Sequence, residues 1–253
     1  MRIGRRGLTA ESPELSRHLY SGDSLTAAIG ASRLTYNLFV PVHAQFVSAE
    51  NTFNLTVALT GASGIVFGQM LLRALDRDER VARVHFVPSE NSLRVLAEEL
   101  GISGRNNLAE KLVGHTSPKI VQHAENDIGA AIASGSYPSA GMIVMPCSMG
   151  TLAGIANGMA GNLIERAADV CLKERRPLIL CLRETPFNKI HIRNMSYAAD
   201  AGATLFPMIP AFYNQPMDST EMARQFVCRV LAHIGLPQAG AYVWKPDQSG
   251  PES

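Results

Sequence analysis

Short apolar runs rich in β-branched residues alternate with helical patterns along this chain, and each change of pattern passes through a small polar turn. Leu55-Thr-Val-Ala-Leu-Thr60 reads as a buried strand, Gly61-Ala-Ser-Gly64 as a tight turn, and Ile65 to Leu75 as a helix. Arg83 to Val87 and Ser92 to Leu100 repeat strand and helix. Gly141-Met-Ile-Val-Met145 is a third strand, ended by Pro146, with helical spacing from Thr151 and again from Asn162 to Glu174. Leu178-Ile-Leu-Cys-Leu182 is the fourth strand, and a helix follows from about Lys189 to Ala201. Asp218 with Glu221 three residues on resembles a capping box that opens a last helix, to about Ile234. The polar stretch from Gly101 to Ser117 yields no assignment. Alternation of this kind predicts an α/β fold: a single domain with a mostly parallel sheet covered on both faces. In such sheets ligands bind beyond the carboxyl ends of the strands.

Composition narrows the function. The chain has 253 residues, 46% hydrophobic and 18% charged, enough to bury a large core. A formal net charge of +1 argues against a nucleic-acid binder that relies on a broad basic field. Cys147, Cys171, Cys181 and Cys228 form no CxxC pair and no zinc spacing, so they read as reduced thiols of a cytoplasmic protein. No apolar run reaches the ~18 residues that span a bilayer. Residues 1–53 mix Arg2, Arg5, Arg6, Arg17 and Arg33 with Glu11, Glu14 and Asp23, which fits neither a secretory signal nor a transit peptide. They read as an extension, disordered or from an over-called start, before a domain at 54–237 and a tail at 238–253.

The turns at the strand ends carry the candidate chemistry. Glycines in 61–64 would let a ligand approach the backbone, and the helix start would offer free N–H groups to a phosphate; a plain connecting turn explains the same residues. Pro146-Cys-Ser-Met-Gly-Thr151 repeats the arrangement with two hydroxyls, although Ser148 also reads as a helix N-cap. Arg166 and Lys173 stand two turns apart on one helical stripe and could grip a phosphate, or Asp169 and Lys173 could simply pair. Glu184 follows the fourth strand, where a carboxylate can act as acid or base or sit in a surface ion pair. Tyr213 reads equally as packing and Arg229 as a solvated charge. His191 reads as a hydrogen-bonded structural residue.

Taken together, Gly61-Ala-Ser-Gly64, Ala133-Ser-Gly-Ser136, Pro146-Cys-Ser-Met149, Asn162-Leu-Ile-Glu-Arg-Ala-Ala-Asp-Val170, Leu172-Lys-Glu-Arg-Arg-Pro-Leu178, Arg183-Glu-Thr-Pro186 and Pro210-Ala-Phe-Tyr213 closely resemble the UbiX-type flavin prenyltransferases. The resemblance spans about Leu55 to Pro237. It implies a single Rossmann-like (flavodoxin-like) three-layer domain assembled as a dodecamer, with FMN bound between subunits and dimethylallyl monophosphate as substrate. It implies prenyl transfer to N5 and C6 of reduced FMN, without a metal, giving the cofactor of a separate decarboxylase of the ubiquinone-pathway type. It assigns FMN to Gly61, Ala62, Ser63, Ser89, Ser148, Met149, Gly150, Thr151 and Arg166. The prenyl phosphate falls to Ser134, Gly135, Arg166, Lys173, Glu184, Tyr213 and Arg229, with Glu184, Ser134 and Lys173 as the catalytic set.

Trp244 matches a tail tryptophan near the site in some members. Glu90-Asn91 depart from the Lys-Ala found after Ser89 in many members, and the N-terminal extension has no counterpart in a typical bacterial one. An FMN-dependent cysteine decarboxylase would need a histidine soon after the first glycine turn, and none occurs between Gly61 and Val84. A non-catalytic flavin-binding subunit would lack an intact phosphate cluster. Direct decarboxylation of an aromatic acid belongs to the partner enzyme.

Overall fold

A computed structural model describes residues 52–213, 215 and 218–243. The elements run β1 (Phe53–Leu59), α1 (Ile65–Arg77), β2 (Val81–Pro88), α2 (Glu90–Leu100), α3 (Leu108–Val113), β3 (Ile120–Gln122) and β4 (Met142–Cys147). They continue with α4 (Met149–Ala156), α5 (Leu163–Lys173), β5 (Leu178–Leu182), α6 (Lys189–Asp200), β6 (Thr204–Leu205) and α7 (Ser219–His233). A short 3-10 helix, Ala131–Ala133, precedes β4.

The described residues form one six-stranded sheet, ordered β3-β2-β1-β4-β5-β6, and every pairing is parallel. That is the Rossmann order, with its switch point between β1 and β4. Alternate residues of each strand divide between two cores. Leu55, Val57, Leu59, Phe86, Ile143 and Ile179 pack with α1, α2, α3 and α7. Ala58, Val87, Met142, Val144, Leu178 and Leu180 pack with α4, α5 and α6. Both faces are covered, which is why the strands read as near-continuous apolar runs.

Side-chain caps fix where the helices begin. Ser89, Ser148, Asn162, Asn188 and Asp218 each accept a backbone N–H three residues ahead. At α6 the box is complete, with His191 returning to the Asn188 N–H, so His191 is structural as its setting predicts. At α7 only the Asp218 half forms. The Glu221 carboxylate turns to Arg224 and Gln225 instead.

Several sequence expectations need adjustment. Pro146 does not end the third strand: β4 runs on to Cys147, with the ladder to β5 breaking register between Val144 and Cys147. A break there accommodates a residue that has no N–H to give. The unassigned polar stretch holds α3, and the edge strands β3 and β6 are too short to show a period of two. At Gly68 an added Cβ would lie 2.7 Å from the Met145 carbonyl oxygen, so α1 rests directly on the carboxyl end of β4.

Candidate functional site

The carboxyl ends of β1 and β4 meet at Thr60. Its hydroxyl donates to the Pro146 carbonyl at 2.8 Å and accepts the Ser148 N–H at 2.8 Å, and the residue is 1% exposed. A single buried side chain therefore sets the turn after β1 against the turn after β4. Sequence reading passed over Thr60 as the last residue of an apolar run.

Three helices start around this point, and their first turns differ. Gly64, at φ 100°, begins α1 in a conformation that suits glycine. The N–H groups expected to await a phosphate there are taken by Glu99 of α2. Its carboxylate accepts from Gly64 at 3.0 and 3.1 Å and from Ile65 at 2.8 Å. A carboxylate at a helix N-terminus meets the same partial positive charge that a phosphate would.

The start of α2 is filled as well. The buried Ser89 hydroxyl accepts from Ser92, and Glu125 accepts the Glu90 N–H at 2.7 Å. Glu90 itself pairs with Arg105 on the surface, and Asn91 lies against Gly61, where a Cβ would come 2.6 Å from that of Asn91. Both departures from the common Lys-Ala pair thus have structural partners.

The first turn of α4 is the open one. Ser148 caps it through Thr151, accepting the N–H at 3.3 Å with the two hydroxyls 3.1 Å apart. The first intrahelical bond is Leu152 N–H to Ser148 carbonyl, and the N–H groups of Met149 and Gly150 have no acceptor among the described residues. A Cβ on Gly150 would meet only the Ser148 hydroxyl, at 4.0 Å. Among these three starts, this turn is the one that leaves N–H groups open to an anion. Cys147 just before it points into the core, and burial pushes its thiol up to about 12, which removes it as a nucleophile. Among the described residues the other cysteines are also free and buried.

Glu184 stands at the same edge. The Arg183 N–H donates to the Cys147 carbonyl at 3.2 Å, bringing the end of β5 beside the Ser148 turn. The Glu184 carboxylate is exposed and, among the described residues, accepts only its neighbour's N–H, from Thr185 at 2.9 Å.

Arg166 and Lys173 form a second group, on the outer side of α5. Arg166 Nε donates to the Ala133 carbonyl at 3.1 Å and Nη1 to Asp169 at 2.6 Å. Lys173 pairs with Glu174, so the alternative pairing of Asp169 with Lys173 does not form. Gly135 sits against this pair: a Cβ there would lie 2.5 Å from Lys173 Nζ. Ser134 and Ser136 exchange a hydrogen bond at 2.8 Å. Arg176, which sequence reading left without a role, holds the turn by donating to the carbonyls of Gly135 at 2.6 Å and Tyr137 at 2.9 Å.

Tyr213, 69% exposed, precedes α7, and Arg229 is exposed on α7 itself. Since α7 packs on α1 and α5 on the opposite face, the sheet stands between Arg229 and the Arg166–Lys173 pair. One chain brings together Gly61, Ala62, Ser63, Ser89, Ser148, Met149, Gly150, Thr151 and Glu184 at the switch point. It brings Ser134 and Gly135 together with Arg166 and Lys173 of α5, and leaves Arg229 on the other face of the sheet. Trp244 lies outside the described residues. Among those residues no group of three or more His, Cys, Asp or Glu side chains is placed to hold a metal, and no helix is long and apolar enough to cross a membrane.

A family profile described as Flavoprotein matches residues 45–224. The flavin prenyltransferase UbiX of Alkalihalophilus pseudofirmus is 42% identical over 184 residues, 72% of this chain and 91% of that protein. The flavin prenyltransferase UbiX of Salmonella typhimurium is 44% identical over 183 residues, 72% and 92% of the two chains. A dodecameric FMN-dependent Ubix-like decarboxylase from Escherichia coli O157:H7 superimposes with a TM-score of 0.69 at 39% identity, covering 76% of this chain and 100% of its own. AnUbiX (PadA1), solved in complex with FMN and dimethylallyl pyrophosphate, gives a TM-score of 0.70 at 38% identity, covering 78% and 99%.

Proposed function

Because the chain belongs to the flavin prenyltransferases of the flavoprotein family, we propose that it transfers a dimethylallyl group from dimethylallyl monophosphate to reduced FMN. The product is prenylated FMN, made for a partner decarboxylase. When bound, reduced FMN supplies the nucleophilic ring atoms N5 and C6 at which the two new bonds form. The open first turn of α4 takes the FMN phosphate on the N–H groups of Met149 and Gly150, with the Ser148 and Thr151 hydroxyls beside it.

Arg166 and Lys173 stabilise the charge that develops on the prenyl phosphate as its C–O bond breaks. Their present partners, Asp169 and Glu174, are half-exposed neighbours on the same helix and bind them weakly, so a phosphate competes well for both cations. With the protein supplying these charges, the reaction takes no metal. Glu184, at the sheet edge beside the Ser148 turn, exchanges protons with the departing phosphate.

The sheet that stands between Arg229 and the Arg166–Lys173 pair within one chain supports a site completed by neighbouring copies in a homo-oligomer. The dodecameric relative is consistent with that arrangement. The observation that carries the reading is sequence identity above 40% over nine-tenths of the prenyltransferase relatives, joined to a switch point with one phosphate-ready helix start.

Mass spectrometry of the flavin released after anaerobic incubation with reduced FMN and dimethylallyl monophosphate tests it. A flavin heavier by one dimethylallyl group is expected, undiminished by EDTA. Recovery of unmodified FMN would overturn the function, and loss of product on chelation would overturn the metal-free mechanism. A parallel incubation with the pyrophosphate ester decides which donor is used.

A further inference from the structure

Beneath the Ser134–Tyr137 turn lies a polar chain on the sheet face that α5 covers. His85, in β2 and 4% exposed, uses both ring nitrogens: Nε2 meets the Tyr137 hydroxyl at 2.7 Å and Nδ1 meets His123 Nε2 at 2.9 Å. The two imidazoles stack at 5.1 Å, and the tyrosine ring stands edge-on to His85. Each neutral imidazole carries one N–H, so a single proton order runs through the chain without leaving a donor facing a donor. Arg83 and Asp127 are the charged groups nearby, on the strand itself and after β3. Burial is the main cause that pushes the His85 ring down to about 4, and it is neutral near pH 7.

This polar chain anchors Tyr137, the residue that ends the turn. Tyr137 donates its N–H to the Ser134 carbonyl at 3.2 Å and accepts from Arg176 through its own carbonyl. Arg176 grips the turn from the α5 side, and His85 holds the tyrosine ring from the sheet side. Between these supports Gly135 faces the Lys173 ammonium.

We propose that His85, acting through Tyr137, is a positioning residue that fixes the Ser134–Gly135 turn for the prenyl phosphate. The role assigned to the turn rests on the proposed function; the holding of the turn does not.

Tyr137→Phe removes one hydroxyl and keeps the ring, so the full-length protein can be tested folded. The expected result is a KM for dimethylallyl monophosphate raised about three- to tenfold, the range of one lost hydrogen bond, with kcat within about twofold. FMN affinity should be unchanged. Amide hydrogen exchange at Tyr137 should quicken in the variant while exchange in α4 stays as in wild type. Unchanged exchange at Tyr137 overturns the anchoring, and quicker exchange with an unchanged KM overturns the positioning role. Should the wild-type protein form no prenylated flavin, the proposed function fails, and the exchange measurement still decides whether the chain of rings holds the turn.

Discussion

Replacing Thr60 by valine deletes one buried hydroxyl and keeps the side chain's shape. Two hydrogen bonds go with it, and they are not equivalent. The Pro146 carbonyl keeps the Thr60 backbone N–H at 3.2 Å, so only the net value of one bond is lost, about 0.5–1.5 kcal/mol. The Ser148 N–H loses its acceptor altogether, in a half-buried place where an unsatisfied donor costs about 1–3 kcal/mol. Together these give a destabilisation of about 2–4 kcal/mol. At roughly 2–4 °C per kcal/mol for a domain of this size, the melting temperature should fall by about 5–15 °C. Urea unfolding gives the first number and a thermal melt the second. FMN titration adds a local readout, because the Ser148 turn is free to drift: affinity should weaken in Thr60→Val and recover in Thr60→Ser. A valine variant as stable as wild type, with wild-type FMN affinity, would refute the claim that this hydroxyl joins the two turns.

Other perturbations give distinct readouts. The unfolded His85 ring takes a proton near pH 6.5, whereas the folded one resists until about 4, so its contribution is complete above pH 6.5 and is lost as pH falls through that window. His123 is shifted in the same direction, and urea midpoints between pH 7.5 and 4.5 should decline in wild type and decline less in His85→Gln. Glu184→Gln should leave FMN binding and the melt unchanged while single-turnover prenylation drops about 10²–10⁴-fold; a wild-type rate would exclude proton handling by this carboxylate. Arg229→Ala should not alter stability, since the side chain is exposed, but should weaken binding of the prenyl phosphate about tenfold or more, measured by competition with inorganic phosphate.

Much of the fold was legible because each central strand is buried on both faces. Leu55–Thr60 and Leu178–Leu182 announce themselves as unbroken apolar runs, and Ser148, Asn162 and Asp218 mark helix starts within a residue. β3 and β6 carry two or three residues at sheet edges, where no pattern has room to develop. The candidate site was legible as residue types and only partly as an arrangement. Helical spacing placed Arg166 and Lys173 on one stripe, and both do face the turn that carries Gly135. Nothing local could reveal that Glu99, 35 positions beyond Gly64, would fill the α1 start, or that Thr60 would reach Pro146. Those partners are chosen by which strand ends lie adjacent in the sheet, and adjacency is a property of the assembled topology. For the same reason spacing along the chain could not place Arg229 on the face opposite Lys173.

The strand order also dictates a sequence of events during folding. β1, β2 and their helix can associate as soon as they leave the ribosome, since they are neighbours in both sequence and space. The other edge of β1 must wait, because its partner β4 is still unmade: Thr60 and Pro146 are separated by 86 positions. At about 5–20 residues per second, that edge stays unpaired for roughly 5–15 seconds of synthesis. An apolar strand with open N–H and C=O groups is a template for mispairing, so nascent chains are most vulnerable in that interval. Closure of β4 onto β1 ends it, and that step also completes the Ser148 turn. Pairing of β4 with β1 thus ends the exposed-edge interval and meets a requirement for ligand binding in one step, so chains stalled before it would be both aggregation-prone and unable to be rescued by flavin.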